Sequence, residues 1–207
     1  MSAPLRILYV DDYPLDRELV RDALEAEHGG FSVVMAATRP EFEARLAEGG
    51  YDLVLSDFNI LGFEGLQVLD SVHALYPGMP VVIVTGTGSE EIAVAAMKRG
   101  AADYVLKTPR DIQRLPQTIY AVLEKQRLTL ERAQARAEAE AERDRLTLLM
   151  DNLPDTLYFK DRQARFTRAN HALARQFGLD DPSGLLGKTE FDLLPNEQTR
   201  EHLAQEL

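Results

Sequence analysis

Five short apolar runs alternate with amphipathic segments in the first half of the chain, and this alternation constrains the fold more than any other feature. The runs are Leu5–Val10, 31–37, 51–57, 79–85 and 103–107. Each is short enough to be a buried strand, and the segments between them have the apolar spacing of helices. Strands and helices that alternate with short connections predict an α/β fold, a five-stranded doubly wound parallel sheet with helices on both faces.

Local signals place the helices of this part. The first predicted helix, 14–27, has Pro14 at its start and Asp16 in its first turn, where a negative charge suits the helix dipole. Ser89 is expected to cap the fourth helix. Gly62 and Gly65 are expected to keep the loop after the third strand flexible.

The composition removes several functional classes. Without cysteine the chain has no disulfide framework, thiolate metal cluster or cysteine nucleophile, and its four histidines lack metal-ligand spacing. A formal net charge of -11 with no basic stripe argues against a nucleic-acid partner. No apolar run approaches the roughly 18 residues that cross a bilayer, and the N-terminus lacks a signal-peptide pattern. We therefore expect a cytoplasmic protein with no membrane partner.

Polar residues stand at the predicted carboxyl ends of four strands, and they are Asp11, Asp12, Asp57, Thr85 and Lys107. Because these strand ends meet at one edge of a parallel sheet, we expect the five side chains to converge. Three carboxylates so close together favour a hard divalent cation such as Mg²⁺ among them. With the Thr85 hydroxyl and the Lys107 ammonium, the set suits phosphoryl transfer to Asp57. Each residue alone has an ordinary structural explanation, but the set at four strand ends favours the functional one.

The region from Leu5 to about Leu123 resembles the receiver domain of two-component response regulators. The motifs that carry the resemblance are the pair Asp11-Asp12, Asp57 closing the third strand, Thr85-Gly86 closing the fourth, and Tyr104 three residues before Lys107. The resemblance implies a flavodoxin-like fold and a phosphorelay protein in bacterial signal transduction. It also implies that the chain is not an enzyme, although a receiver assists its own phosphorylation and dephosphorylation.

The resemblance implies a role for each matching residue. Asp57 is the phosphoacceptor, and Mg²⁺ is held by Asp12, Asp57 and the backbone carbonyl of Asn59, with Asp11 acting partly through water. The implied partner is a histidine kinase or a phosphotransfer protein.

Two further roles concern the response to phosphorylation. Thr85 and Lys107 contact the phosphoryl group, and Tyr104 is a switch residue that turns inward when Thr85 moves.

One position departs from the family. Thr108 follows Lys107 directly, where family members usually have a proline in a cis bond, so the geometry of this loop is open.

A long segment without glycine follows the last strand. From Leu115 to about Asn152 it is rich in Ala, Glu, Arg and Leu, which predicts one helix of roughly 55 Å. We expect this helix to continue the last receiver helix and to connect two domains. The predicted boundaries are 1–123 for the receiver, 111–152 for the connector and 153–207 for the remaining segment.

The remaining segment resembles the beginning of a PAS domain. The resemblance rests on DNLPDTLYFKDRQARFTRAN and LLGKTEFDLLP, with a hairpin predicted over 156–160 and 164–169 and Asn170 capping the next helix. Only two strands of the five-stranded PAS sheet are found, so we expect a partial α+β segment that is not independently stable. Family members with this order continue into a kinase or cyclase, so an output domain is expected beyond residue 207. No cofactor residue is predicted here, and His171 is interpreted as a surface residue.

The connector also predicts a parallel homodimer. Two series of positions follow a three-four spacing, out of phase with one another: Leu123, Gln126, Leu130, Ala133 and Ala137, then Ala135, Ala139, Glu142, Leu146, Leu149 and Leu153. A change of phase of this kind is a stutter, which unwinds a coiled coil locally. A single solvated helix held by Glu and Arg pairs is the alternative.

Two alternative functions remain. A phosphatase of the haloacid dehalogenase type also uses a strand-end aspartate, but it needs a second Asp two residues on, where this chain has Asn59. A receiver-like module that binds proteins and never takes phosphate is the other.

Overall fold

The structure is a computed structural model that describes residues 3–27, 29–86 and 90–193. The chain divides into two compact units, and the boundary in the sequence falls between Glu131 and Arg132. Among the described residues, no helix is both long enough and apolar enough to cross a membrane. The predicted cap Ser89 lies outside the described residues.

The first unit contains a five-stranded sheet in which every pairing is parallel. Its strands are β1 (Leu5–Val10), β2 (Phe31–Ala36), β3 (Leu53–Ser56), β6 (Val81–Thr85) and β7 (Asp103–Leu106). Between β3 and β6 lies a separate small hairpin, β4 (Asn59–Ile60) with β5 (Phe63–Glu64). The order β2-β1-β3-β6-β7 is doubly wound, because the chain moves to the other side of β1 after β2. The predicted fold class is confirmed.

Helices cover both faces of this sheet. They are α1 (Pro14–Glu25), α2 (Arg39–Glu48), α3 (Gly65–Leu75), α4 (Glu90–Lys98), α5 (Pro109–Gln113) and α6 (Leu115–Asp151). Leu8, Val54 and Ile83 pack on the face covered by α2, α3 and α4. Their strand neighbours Ile7 and Leu55 pack on the opposite face, with α1, α5 and the start of α6. Because both faces are buried, the strands are apolar throughout rather than alternating.

The connector helix predicted over 111–152, as a continuation of the last receiver helix, does not run unbroken from residue 111. The short α5 ends at Gln113, and α6 begins at Leu115 after Arg114, whose backbone angles are φ -95° and ψ -4°. Pro116 explains the break, because a proline has no N–H for the helix and its ring clashes with the carbonyl four residues earlier, that of Ile112. The single continuous helix predicted from 111 was therefore wrong at its start. From Leu115 to Asp151 it is continuous as predicted.

The second unit is built on the predicted hairpin. Strand β8 (Tyr158–Lys160) pairs antiparallel with β9 (Phe166–Ala169), and the short helix α7 (His171–Gln176) follows. The core of the unit consists of Phe166, Leu173, Ala174 and Leu185, all less than 5% exposed. The last described element of the chain is α8 (Glu190–Leu193).

The side-chain amide of Asn170 makes four hydrogen bonds to the backbone of the second unit. The Asn170 side chain is fully buried, and its oxygen accepts hydrogen bonds from the Leu157 and Leu173 backbone N–H groups at 3.0 and 3.1 Å. Its nitrogen donates to the carbonyls of Met150 and Asp155 at 3.0 and 2.8 Å. Asn170 is the predicted cap of α7, and it also links the end of α6 to the start of the hairpin.

Candidate functional site

Backbone hydrogen bonds extend the sheet pattern just past the strands and fix the residues that follow them. The N–H of Asp57 donates to the Val10 carbonyl at 2.8 Å, and the N–H of Asp11 donates to the Ala36 carbonyl at 3.0 Å. On the other side, the N–H of Lys107 donates to the Thr85 carbonyl at 2.8 Å. The side chains at this edge therefore stand on backbone that the sheet holds rigid.

Three of the predicted acids meet at this edge. Asp11, Asp12 and Asp57 each present a carboxylate oxygen, and these oxygens lie within 4.8 Å of one another. Asp11 is fully buried and Asp57 is 8% exposed, whereas Asp12 is partly exposed. A cluster of carboxylate oxygens with one side open to water matches the ligands that Mg²⁺ prefers, since that ion keeps several of its waters. The donor set therefore fits this metal.

Among the described ion pairs, Lys107 is the only cation that pairs with these clustered carboxylates. Its side chain is 4% exposed, and its Nζ lies 2.6 Å from an Asp11 carboxylate oxygen and 3.4 Å from an Asp57 oxygen. A second oxygen at 2.6 Å belongs to Asp16. Burial lowers the pKa of Lys107, but the hydrogen bonds and charges of the carboxylates outweigh it and raise this pKa above its usual value. The lysine is therefore charged.

Opposing effects set the ionisation of Asp57. Burial raises its pKa above the usual value, the Lys107 ammonium lowers it, and the neighbouring Asp11 carboxylate raises it. The Phe58 backbone N–H, which donates to Asp57 Oδ1 at 2.7 Å, also favours the ionised form. A carboxylate with little surrounding water and a cation beside it is well placed to act as a nucleophile toward phosphorus.

The remaining predicted residues lie on the neighbouring strands. Thr85 is 1% exposed at the end of β6, directly beside β3 in the sheet. Tyr104 lies on β7, and its hydroxyl is buried without a hydrogen-bond partner. Burial, and next the negative charge of Asp57, raise the pKa of Tyr104. Asn59 follows Asp57 closely, at the start of β4.

Gly65 has a structural role that the sequence analysis missed. It is the first residue of α3 rather than part of a flexible loop, and its N–H donates to the Phe58 carbonyl at 2.8 Å. A β-carbon at this position would lie 2.4 Å from the Asp57 carbonyl oxygen and 3.0 Å from the Phe58 Cα. Only glycine fits, because α3 starts in contact with the backbone of Asp57 itself.

Thr108, which departs from the family pattern, caps α5. Its hydroxyl accepts a hydrogen bond from the Asp111 N–H at 3.2 Å and donates to the Asp111 carboxylate at 2.7 Å. No peptide bond of the described residues is cis. The loop after Lys107 is thus held by a helix cap.

Two further residues belong to the site and were not predicted. The Tyr9 hydroxyl donates to Asp11 Oδ2 at 2.5 Å, and Asp16 binds Lys107 instead of serving only the dipole of α1. Their spacing carried a signal. Tyr9 lies two residues before Asp11, so in extended backbone the two side chains share one side. Asp16 lies in the first turn of α1, four residues after Asp12.

A doubly wound parallel sheet with an acidic cluster and a buried lysine at its carboxyl edge defines the receiver class of α/β domains. A family model described as the response regulator receiver domain matches residues 7–120, more than half of the 207-residue chain. The chain belongs to this family. A second model, described as a PAS fold, matches residues 150–207.

Similar proteins agree with this assignment. The transcriptional regulatory protein ZraR of Salmonella typhimurium is 35% identical over 123 residues, which cover 59% of this chain and 27% of ZraR. The C4-dicarboxylate transport transcriptional regulatory protein DctD of Rhizobium meliloti is 36% identical over 133 residues, 63% of this chain and 28% of DctD. The match thus spans little more than a quarter of each of these curated relatives.

Solved structures give the same result. A CheY-like receiver domain protein from Methanospirillum hungatei superposes with a TM-score of 0.54 at 33% identity, covering 61% of this chain and 98% of that one. The receiver domain of NtrX from Brucella abortus gives 0.52 at 34% identity, covering 57% and 98%.

Proposed function

We propose that the chain is a phosphoacceptor protein of a two-component phosphorelay and that Asp57 takes the phosphoryl group. One observation carries the proposal, namely the buried Lys107 ammonium 3.4 Å from an Asp57 carboxylate oxygen, beside three clustered acids. A buried cation next to a strand-end carboxylate gives the negative charge of a phosphoryl group a fixed counter-charge.

The transfer follows from this arrangement. A carboxylate oxygen of Asp57 attacks phosphorus, the bond from phosphorus to the donor's nitrogen or oxygen breaks, and the leaving group takes a proton from the solvent. Lys107 holds its positive charge near the equatorial oxygens, and Thr85 is placed to donate its hydroxyl to one of them. Asp11, Asp12, Asp57 and the Asn59 carbonyl are the residues that would hold Mg²⁺. When bound, this ion neutralises charge on the phosphoryl oxygens.

The proposed partners follow from the family. A histidine kinase or a phosphotransfer protein supplies the phosphoryl group, and α6 carries the change toward the PAS segment and an output domain. Tyr104 is proposed as the switch residue that turns inward when Thr85 moves. Its hydroxyl is buried here without a hydrogen-bond partner, so a rearrangement that supplies an acceptor would stabilise the inward position.

Beryllofluoride, a mimic of the phosphoryl group, separates this function from that of an interaction module that takes no phosphate. We expect calorimetry to show one beryllofluoride bound per chain when Mg²⁺ is present, and no binding when Mg²⁺ is omitted or Asp57 is replaced by Asn. Absence of binding by the unaltered chain with Mg²⁺ would favour the interaction module.

We further propose a parallel homodimer through α6. Leu146 and Leu149 are 40% and 58% exposed, which leaves apolar side chains on the helix for a partner to cover. The first series is less suited to this role at its start. Leu123 packs against the receiver core, and the Gln126 side chain donates to the Gly78 carbonyl.

Disulfide formation tests the dimer. The chain has no cysteine of its own, so Leu149→Cys is expected to give a covalent dimer under mild oxidation at tens of micromolar protein. Asp144→Cys, about 140° away around the helix, is the matched control and should link several-fold less. A monomeric mass together with equal, slow linking of both variants would contradict the proposal.

A further inference from the structure

Asp16 makes a contact that the proposed transfer does not use. It lies in the first turn of α1, and its Oδ2 accepts a hydrogen bond from Lys107 Nζ at 2.6 Å. The Asp16 side chain is 29% exposed and the Lys107 side chain is 4% exposed, so the lysine meets water at most slightly while its partner is open on one side.

The three carboxylates around Lys107 do not share it equally. Nζ lies 2.6 Å from both Asp11 and Asp16, but 3.4 Å from Asp57. A lysine ammonium has three donors, and two of them are used in short, charge-assisted hydrogen bonds. The ammonium therefore lies closer to Asp11 and Asp16 than to Asp57, the residue that we propose as the acceptor.

Asp16 differs from Asp11 in one respect that matters for anion binding. Asp11 belongs to the group of carboxylates whose oxygens lie within 4.8 Å of one another, and Asp16 does not. A divalent cation held by the clustered acids would offset their charge but not that of Asp16, which faces Lys107. A negative charge at that position competes with a phosphoryl group for the same ammonium and repels it.

We propose that Asp16 is a positioning residue that holds Lys107 and thereby weakens the binding of the phosphoryl group at Asp57. The inference rests on the proposed function, since it concerns the same site. It predicts that the phosphorylated state is less favourable than the clustered acids and the lysine alone would make it.

The test compares the affinity for beryllofluoride, at fixed Mg²⁺ and ionic strength, across variants of the full chain. Asp16→Asn and Asp16→Ala are expected to bind about tenfold more tightly than the unaltered chain, the size of one charge-assisted hydrogen bond. Asp16→Glu keeps the charge and should stay close to the unaltered chain. Asp22→Asn makes the same charge change on α1 at a side chain that is 71% exposed and pairs with Arg21, and it should change nothing.

Two further measurements distinguish the proposed role of Asp16 from a purely structural one. The unfolding midpoint without ligand reports on stability. Calorimetry with Mg²⁺ alone should give affinities within about twofold for all variants, because Asp16 is not one of the clustered acids. A twofold change in affinity corresponds to only about 0.4 kcal/mol. Equal or weaker beryllofluoride binding by Asp16→Asn and Asp16→Ala would overturn the inference while leaving the proposed function intact. Absence of binding by the unaltered chain would overturn the proposed function, and this inference with it.

Discussion

Lys107→Ala is expected to slow phosphorylation of Asp57 by acetyl phosphate by about 10²–10³-fold, the usual effect of removing one preorganised electrostatic group. The ammonium is the cation that holds Asp11, Asp16 and Asp57 together, at 2.6, 2.6 and 3.4 Å. Without it the carboxylates repel one another. Asp57 also loses a neighbour that lowers its pKa, so a smaller fraction of it is ionised.

The rate is best followed by intact mass over time at saturating Mg²⁺. Lys98→Ala, at the exposed end of α4, is the matched control and should react at the unaltered rate. Circular dichroism of Lys107→Ala should confirm the folded state before its rate is interpreted. A folded Lys107→Ala that reacts within threefold of the unaltered chain would contradict the assigned role.

Asn170→Ala is expected to destabilise the second unit by about 2–5 kcal/mol, because it leaves the buried Leu173 N–H and the partly buried Leu157 N–H without their acceptor. The Met150 and Asp155 carbonyls lose a donor as well. Since two strands and a small core give little stability in reserve, the hairpin β8–β9 should lose its amide protection. The receiver strands should keep theirs.

Hydrogen exchange on the full chain measures both effects at once. Asn170→Asp keeps the shape and one accepting oxygen but cannot donate to the two carbonyls, so it should also lose protection in the hairpin. Asn152→Ala is the control, since that exposed side chain donates only to the Leu148 carbonyl one turn earlier. Unchanged exchange in β8 and β9 of Asn170→Ala would show that the buried amide does not hold this unit.

Much of the receiver fold follows from patterns within single segments. A strand buried on both faces is an apolar run, and the helices between the runs expose one polar face, so their alternation fixes a parallel sheet without any long-range information. The carboxyl-edge residues Asp11, Asp57 and Lys107 could be placed together for the same reason, because topology alone brings strand ends to one edge.

Other features depend on contacts between segments distant in sequence and could not be predicted in this way. Gly65 looks like a loop glycine until α3 is found packed on the backbone of Asp57. Asp16 has a sufficient local explanation in the helix dipole, which hides its contact with a lysine 91 positions away. In contrast to Gly65 and Asp16, the break at Arg114 could have been predicted from local sequence, since Pro116 cannot sit inside a helix without losing a hydrogen bond.

Intact mass after incubation with acetyl phosphate and Mg²⁺ tests the central claim most directly, with the unaltered chain and Asp57→Asn run side by side. We predict that the unaltered chain gains the mass of one phosphoryl group and that Asp57→Asn gains none. Asp57 follows β3, the middle strand of the sheet, and lies beside Lys107. Asp11 is also beside Lys107, but it is fully buried, whereas Asp57 is 8% exposed. Uptake of a phosphoryl group by Asp57→Asn at the unaltered rate, or no uptake by the unaltered chain, would contradict the account.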